Sequence, residues 1–328
     1  MLLFRHHTGL SERARGAVAA LGNFDGVHLG HAAVIEATKT IASEYAGRTG
    51  VRPPSAVLTF EPHPRMVFQS DPPSFRLTPF RIKARQIQAL GIDLLFVLRF
   101  DRDFSLITAE EFVADILVKG LGVAHVVAGY DFVFGHKRRG NAALLHDMSV
   151  RHGFGFTEVQ PVASSHATIY SSTAIRELLI AGKPADAALL LGRPWEIEGR
   201  VQQGDKRGRT IGFPTANLRL GTYLQPALGV YAVRAGIDRG AATTWHDGVA
   251  NLGRRPTFAG TEPRLEVHLF DFAGDLYGRH LRVQLVEFLR PERRFTGIDE
   301  LKKQIALDAD AARRLLRPDA AGALRATQ

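Results

Sequence analysis

Val18-Ala19-Ala20-Leu21-Gly22-Asn23-Phe24-Asp25-Gly26-Val27-His28-Leu29-Gly30-His31 decides the fold. It opens on a short apolar run closed by glycine, which reads as a buried strand. A glycine-bearing turn follows, and a helical pattern runs over 31–45. The same alternation recurs downstream. Ala56 to Phe60, Leu94 to Leu98 and His125 to Ala128 read as buried strands, with helices predicted over 79–90, 109–118 and 140–152. The third helix opens with Thr108-Ala109-Glu110-Glu111, a capping-box pattern. Strand and helix in alternation predict a parallel, doubly wound α/β sheet, which binds ligands at the carboxyl ends of its strands.

The periodicity changes near residue 185. Ser172 to Ala181 reads as a helix stopped by Gly182. Beyond Gly192-Arg193-Pro194, four segments alternate with period two: Trp195 to Val201, Val230 to Ala235, Leu265 to Phe270 and Leu281 to Val286. Turn residues separate them, which predicts an antiparallel sheet or barrel. A last helix is expected from about 298 to 316. The 328 residues therefore divide into domains 1–185 and 186–316, with 317–328 a flexible tail.

Composition narrows the classes. The absence of cysteine excludes disulfides, thiolate zinc sites and a cysteine nucleophile, and agrees with a reducing compartment. The N-terminus lacks a signal-peptide pattern, and no stretch reaches the roughly 18 apolar residues of a membrane span. A cytoplasmic protein without a membrane partner is expected. The net charge is 42 − 33 = +9. Its densest clusters, His136-Lys137-Arg138-Arg139 and Lys206-Arg207-Gly208-Arg209, lie in glycine-flanked loops. Such loops suit phosphate ligands better than a duplex, although a plain solvated surface explains the excess equally well.

The Gly22–His31 string holds the first constellation. Its glycines let backbone approach a phosphate, and His28 and His31 share one face at a helix N-terminus. Amides, the positive helix end and two imidazoles then converge on one anion site. A lone histidine would read as a backbone cap; this ten-residue string after a strand does not. Ser171-Ser172-Thr173-Ala174-Ile175-Arg176 offers hydroxyls at a helix start and a guanidinium fork, although an N-cap alone explains the serines as well.

His28-Leu29-Gly30-His31 resembles the H-x-G-H signature of the nucleotidyltransferase superfamily, and the longer string resembles its FMN adenylyltransferase branch. Thr59 to Pro64, Gly129 to Gly135 with Gly140-Asn141, and Ser171 to Arg176 resemble further motifs of that branch. The resemblance implies that Gly22, Asn23, Phe24, Asp25, His28, His31, Ser172, Thr173 and Arg176 bind nucleotide. It places Asp131, Phe132 and Asn141 in the flavin and nucleotide loop. It also implies direct transfer: FMN phosphate attacks the α-phosphate of ATP, and His28 and His31 steady the leaving pyrophosphate. Tyr170 stands where an aliphatic residue is usual.

The second constellation is Gly204-Asp-Lys206-Arg-Gly208-Arg-Thr-Ile-Gly212-Phe-Pro214-Thr215-Ala216-Asn217. It fails as a Walker A loop, because the glycine spacing is short and no Lys-Ser/Thr pair follows. Read alone, it is either a phosphate cradle or a surface loop. Pro214 to Asn217 resembles the P-T-A-N motif of riboflavin kinases. That resemblance implies that Gly204, Lys206, Gly208 and Gly212 line the ATP phosphates and that Thr215 and Asn217 hold Mg²⁺. Glu266, in a string Leu265 to Phe270 that also matches, is then the base for the ribityl 5′-hydroxyl. By itself it would read as a solvent-facing glutamate. His268 shares its face without an assigned role.

The matches run in family order from about residue 17 to 290. They imply a bifunctional bacterial riboflavin kinase/FAD synthetase: a Rossmann-like nucleotidyltransferase domain, then a small antiparallel β-barrel with a C-terminal helix. ATP, riboflavin, FMN and FAD are the expected substrates and products. The charge admits a rival, a nucleic-acid-binding protein on a degenerate scaffold, but intact His28, His31, Thr215, Asn217 and Glu266 argue against it. Oligomeric state stays open, a homo-oligomer included.

Overall fold

The computed structural model describes residues 1–68, 74–161, 169–203, 212–257 and 260–317, the side chains of 255–257 and 260–262 excepted. Gly204, Lys206, Gly208 and the tail beyond Arg317 lie outside the described residues. The chain forms two compact units: Met1–Pro73 with Thr78–Ser171, and Ser74–Leu77 with Ser172–Gln328.

The first unit is built on six parallel strands: β1 (Leu2–Phe4), β2 (Val18–Leu21), β3 (Ser55–Glu61), β4 (Leu94–Arg99), β5 (His125–Gly129) and β6 (Gly155–Val159). Their order is β1-β4-β3-β2-β5-β6. The four inner strands are those expected from sequence; β1 and β6 are edge strands that the pattern did not reveal. Alternate inner-strand residues feed opposite faces. Ala19, Leu21, Leu58 and Phe96 join one core cluster, and Val18, Ala20, Val57 and Leu95 the other. Burial on both faces is why these strands are apolar throughout.

Helices cover both faces. α1 (Leu29–Thr49) and α3 (Phe80–Ala89) bring Val34, Ile35 and Ile87 to one cluster, with the short α2 (Pro64–Phe68) between them in sequence. α4 (Ala109–Glu111) opens with the expected capping box, Glu111 N donating to Thr108 Oγ1 at 3.1 Å and Thr108 N to Glu111 Oε2 at 2.8 Å. It continues as a π-helix, Phe112–Leu121, where an ordinary α-helix was expected. That helix and α5 (Ala142–His152) supply Phe112, Val113 and Leu145 to the other cluster.

Strand order sets the site. From β2 the chain steps outward through β3 to β4, then crosses to β5 and β6 on the other side. The reversal between β2 and β5 opens a crevice at their carboxyl ends. Leu21 is paired with Ala128, so the turn after β2 starts at Gly22 beside Gly129, the last residue of β5.

The second unit begins with α6 (Ser172–Ile180) and α7 (Pro184–Leu191). Gly182 stops α6 with φ +73°, as expected. α7 was not foreseen. The periodicity change near 185 thus falls inside this unit, because α6 is bonded into it: Ala227 N donates to Leu179 O at 3.1 Å and Arg176 Nε to Phe75 O at 2.9 Å. Six antiparallel strands follow: β7 (Trp195–Arg200), β8 (Ala216–Arg219), β9 (Gly229–Ile237), β10 (His246–Thr257), β11 (Gly260–Leu269) and β12 (His280–Pro291), in the order β7-β12-β9-β10-β11-β8. Gln202 N donates to Asn217 O at 2.9 Å, which brings the first strand to the last and nearly closes a barrel. α8 (Ile298–Leu316) packs Ala309, Ala312 and Leu316 against Val230, Ala232 and Val249.

Residues Ser74–Leu77 complete this unit from far upstream. Arg76 lies parallel to Tyr223, with Arg76 N to Thr222 O at 3.2 Å and Leu224 N to Arg76 O at 2.8 Å. The buried Trp195 donates its Nε1–H to Leu77 O at 2.9 Å.

Candidate active sites

In the first unit, the turn after β2 is strained and braced. Phe24 (φ +49°) and Val27 (φ +44°) hold left-handed backbone, which costs a β-branched residue most. Both are buried, at 1% and 3% exposure, and they anchor the turn in the core. Asp25 is buried as well. Its Oδ1 accepts from Thr78 N at 2.9 Å and Thr78 Oγ1 at 3.3 Å, while Gly26 N donates to Thr78 Oγ1 at 2.8 Å. Thr59 Oγ1 holds Asn23 O at 3.1 Å. Of the four turn residues carried from the motif as nucleotide ligands, the structure therefore gives Phe24 and Asp25 bracing contacts, and it leaves the Asn23 side chain exposed.

His28 is the N-cap of α1. Its Nδ1 accepts from His31 N at 3.3 Å, which puts the ring proton on Nε2. The two imidazoles stack with centroids 3.7 Å apart and planes 20° from parallel. Gly30 explains itself here: a Cβ at that position would lie 3.1 Å from His28 Nδ1 and 3.3 Å from Tyr170 O. The structure thus brings both histidines together at an amide-rich helix start, beside the β2/β5 crevice.

The loop after β5 arrives at the same strand ends. Asp131 is exposed, and its Oδ1 lies 3.3 Å from where a Gly129 Cβ would stand. Phe132 stacks on Phe134 at 5.6 Å and packs on the core. Phe134 and Gly140 pair across a hairpin, where a Cβ on Gly140 would strike the Phe134 ring at 2.7 Å. Asn141 caps α5, its Oδ1 accepting from Leu144 N at 3.0 Å.

Ser172, Thr173 and Arg176 belong to the second unit. The first two open α6, and the Arg176 guanidinium carbon lies 5.6 Å from the Phe75 ring centroid.

The second unit gathers its own set. Gly212 is exposed with φ +89°, Thr215 immediately precedes β8, and Asn217 is buried within it at 6% exposure. Strand register places Glu266 opposite Asn217 on one side and opposite Asn251 on the other. Three oxygen-bearing side chains thus cross three adjacent strands in one row. Asn251 was not singled out from sequence; its register on β10 is the signal, and that strand was not expected. The Thr215 hydroxyl, the Asn217 carboxamide and the Glu266 carboxylate are hard oxygen donors, a set that fits Mg²⁺.

Residues 10–174 match the FAD synthetase family model and residues 191–316 the riboflavin kinase model. The bifunctional riboflavin kinase/FMN adenylyltransferase of Escherichia coli K12 is 44% identical over 95% of this chain and 97% of that protein. The proteins of that description from Pseudomonas fluorescens and Bacillus subtilis are 43% and 41% identical, over 98% and 94% of this chain and 99% and 94% of theirs. A crystal structure described as a macrolide-efflux protein from Streptococcus pneumoniae superposes with a TM-score of 0.82 and 30% identity, over 95% of this chain and 98% of that one. Among the described residues here, no helix is long and apolar enough to cross a membrane.

Proposed function

This chain belongs to the bifunctional riboflavin kinase/FMN adenylyltransferase family, and on that premise we propose which of its residues carry each reaction. The second unit phosphorylates riboflavin to FMN with ATP, and the first adenylylates FMN to FAD. One observation supports the assignment: in each unit, motif residues from separate strands or turns meet at one place.

For adenylyl transfer, the phosphate of FMN attacks the α-phosphorus of ATP, and the α–β bridging oxygen leaves with pyrophosphate. No protein nucleophile takes part. His28 donates from Nε2 and His31 lies stacked beside it, so both serve the charge that develops on the phosphates. Gly22 and the α1 amides admit close approach, Phe24 and Asp25 shape the turn, and Asn23 contributes at its rim. Asp131, Phe132 and Asn141 form the neighbouring flavin-side loop. Ser172, Thr173 and Arg176 are assigned to ATP phosphates on the motif alone.

For phosphorylation, Glu266 accepts the proton of the ribityl 5′-hydroxyl as its oxygen attacks the γ-phosphorus and ADP leaves. Thr215 and Asn217 would hold Mg²⁺, which supplies positive charge to the phosphates when bound. Gly212, with Gly204, Lys206 and Gly208 from the motif, would line those phosphates. A cytoplasmic location, small-molecule substrates, and no nucleic-acid or membrane partner complete the proposal. Sequence-specific retention of generic DNA or RNA at physiological salt would overturn that last part.

Chromatography of riboflavin, FMN and FAD tests the residue roles. His28→Ala is expected to lower FAD formation by about 10²-fold or more while sparing FMN formation. With FMN supplied, Glu266→Ala should do the reverse, lowering riboflavin phosphorylation by about 10²–10⁴-fold. Joint loss of both activities in either variant would refute two independent sites.

A further inference from the structure

His268 stands two residues from Glu266 on β11 and shares its face. Its Nδ1 lies 2.8 Å from the carbonyl oxygen of Pro214. A carbonyl only accepts, so Nδ1 carries the hydrogen. The Phe213 ring at 5.4 Å and the Phe270 ring at 6.0 Å meet the imidazole edge to face, at 75° and 70°. Those two rings fix the donor's direction.

The bonded carbonyl is one peptide ahead of Thr215, which itself precedes the first residue of β8. Proline's ring already fixes φ at position 214, near about −65°. The remaining freedom is ψ, and ψ sets where the Pro214 carbonyl and the Thr215 amide plane point. A donor on that carbonyl removes it. Ring and histidine together define the backbone that delivers the Thr215 hydroxyl, with Asn217 already held in β8 opposite Glu266.

We propose that His268 is a positioning residue of the kinase site: by holding the Pro214 carbonyl, it orients Thr215 to act together with Asn217 on magnesium-bound nucleotide. It touches no reacting atom. The inference rests on Thr215 and Asn217 being the metal-side residues.

The test uses the full-length protein and MgADP as probe. Riboflavin fluorescence reports the kinase unit, because riboflavin is the substrate of that reaction alone. His268→Ala is expected to weaken MgADP binding and raise KM for MgATP by about tenfold, with kcat changed less than about threefold. His268→Asn keeps an N–H donor near the Nδ1 position and should recover most of the loss. FMN adenylylation and melting temperature should not move. Unchanged MgADP affinity in His268→Ala would overturn the inference. So would equal weakening by alanine and asparagine, or a loss shared by adenylylation. Thr215→Ala separates the two levels. If it leaves MgADP affinity intact, the metal-side reading fails and the inference with it. If it weakens binding while His268→Ala does not, only the positioning role fails.

Discussion

Lys83 is fully buried, and its ammonium meets Glu61 Oε1 at 3.1 Å and Thr59 Oγ1 at 3.5 Å. Thr59 in turn holds the Asn23 carbonyl, so a charge on α3 is tied to the turn that carries His28. A buried charge is tolerable only while its partner remains. Lys83→Met should therefore lower the stability of the first unit by roughly 3 kcal/mol, whereas Lys83→Met with Glu61→Gln should recover most of it. Thermal inactivation of FMN adenylylation measures both, and an unrecovered double variant would contradict the account. At this scale the candidate site was legible as a string, because glycines and histidines after a strand have few other uses. The braces were not. Asp25 and Thr78 are 53 residues apart, and nothing local in the sequence announces their bond. Phe24 and Asp25, nucleotide ligands by the motif, are also held by burial and by the Thr78 bond.

Elements with an unbroken apolar run or a sustained period were readable, short β2 and β5 included; edge or mixed ones were not, nor was the long β10. β6 is only partly buried and carries Thr157 and Glu158 on an edge, so its alternation is weak. α7 ends in Leu189-Leu190-Leu191, a run that carries no helical period. β8 was hidden because it begins inside the string Pro214 to Asn217. The π-helix Phe112–Leu121 closes its bonds one residue further on than an α-helix, a difference that composition does not record. Element chemistry also sets a pH dependence. β12 shifts register on either side of Glu287, leaving that carboxylate half-buried. Burial, with Asp186 adding to it, raises its pKa above the ordinary value despite the bond from Phe288 N. A raised folded pKa means that this stability is complete in acid and is lost as pH rises through it. Glu287→Gln keeps an acceptor for Phe288 N and removes the charge. It should raise the melting temperature of the second unit at pH 7 by roughly 1–3 °C, a gain that vanishes by about pH 4. Calorimetry at the two pH values checks it, and an equal gain at both would contradict the linkage.

At the scale of the whole chain, two units were legible from the change of periodicity, and their chemistries are ordered, since the product of the second is the substrate of the first. The sequence hid where the second unit begins. A fragment starting at residue 186 would lack α6 and Ser74–Leu77, and with them the Leu77 acceptor for Trp195 and the Arg76 bridge to Tyr223. We expect riboflavin phosphorylation by that fragment to survive, but with a melting temperature lower by roughly 5 °C or more than that of the full chain. Adding back residues 172–185 should restore only part of the difference, and full restoration would show that the upstream segment is dispensable.

That segment also dates the assembly of the molecule. Ribosomes deliver Leu77 long before Trp195, which follows 118 residues later. At ordinary translation speeds the delay is roughly 6–24 s. During it, β4, β5 and β6 are synthesised to complete the first sheet, whereas Ser74–Leu77 waits for partners not yet synthesised. The nascent chain can thus complete its first sheet early, but it carries four residues in reserve until the second unit follows to claim them.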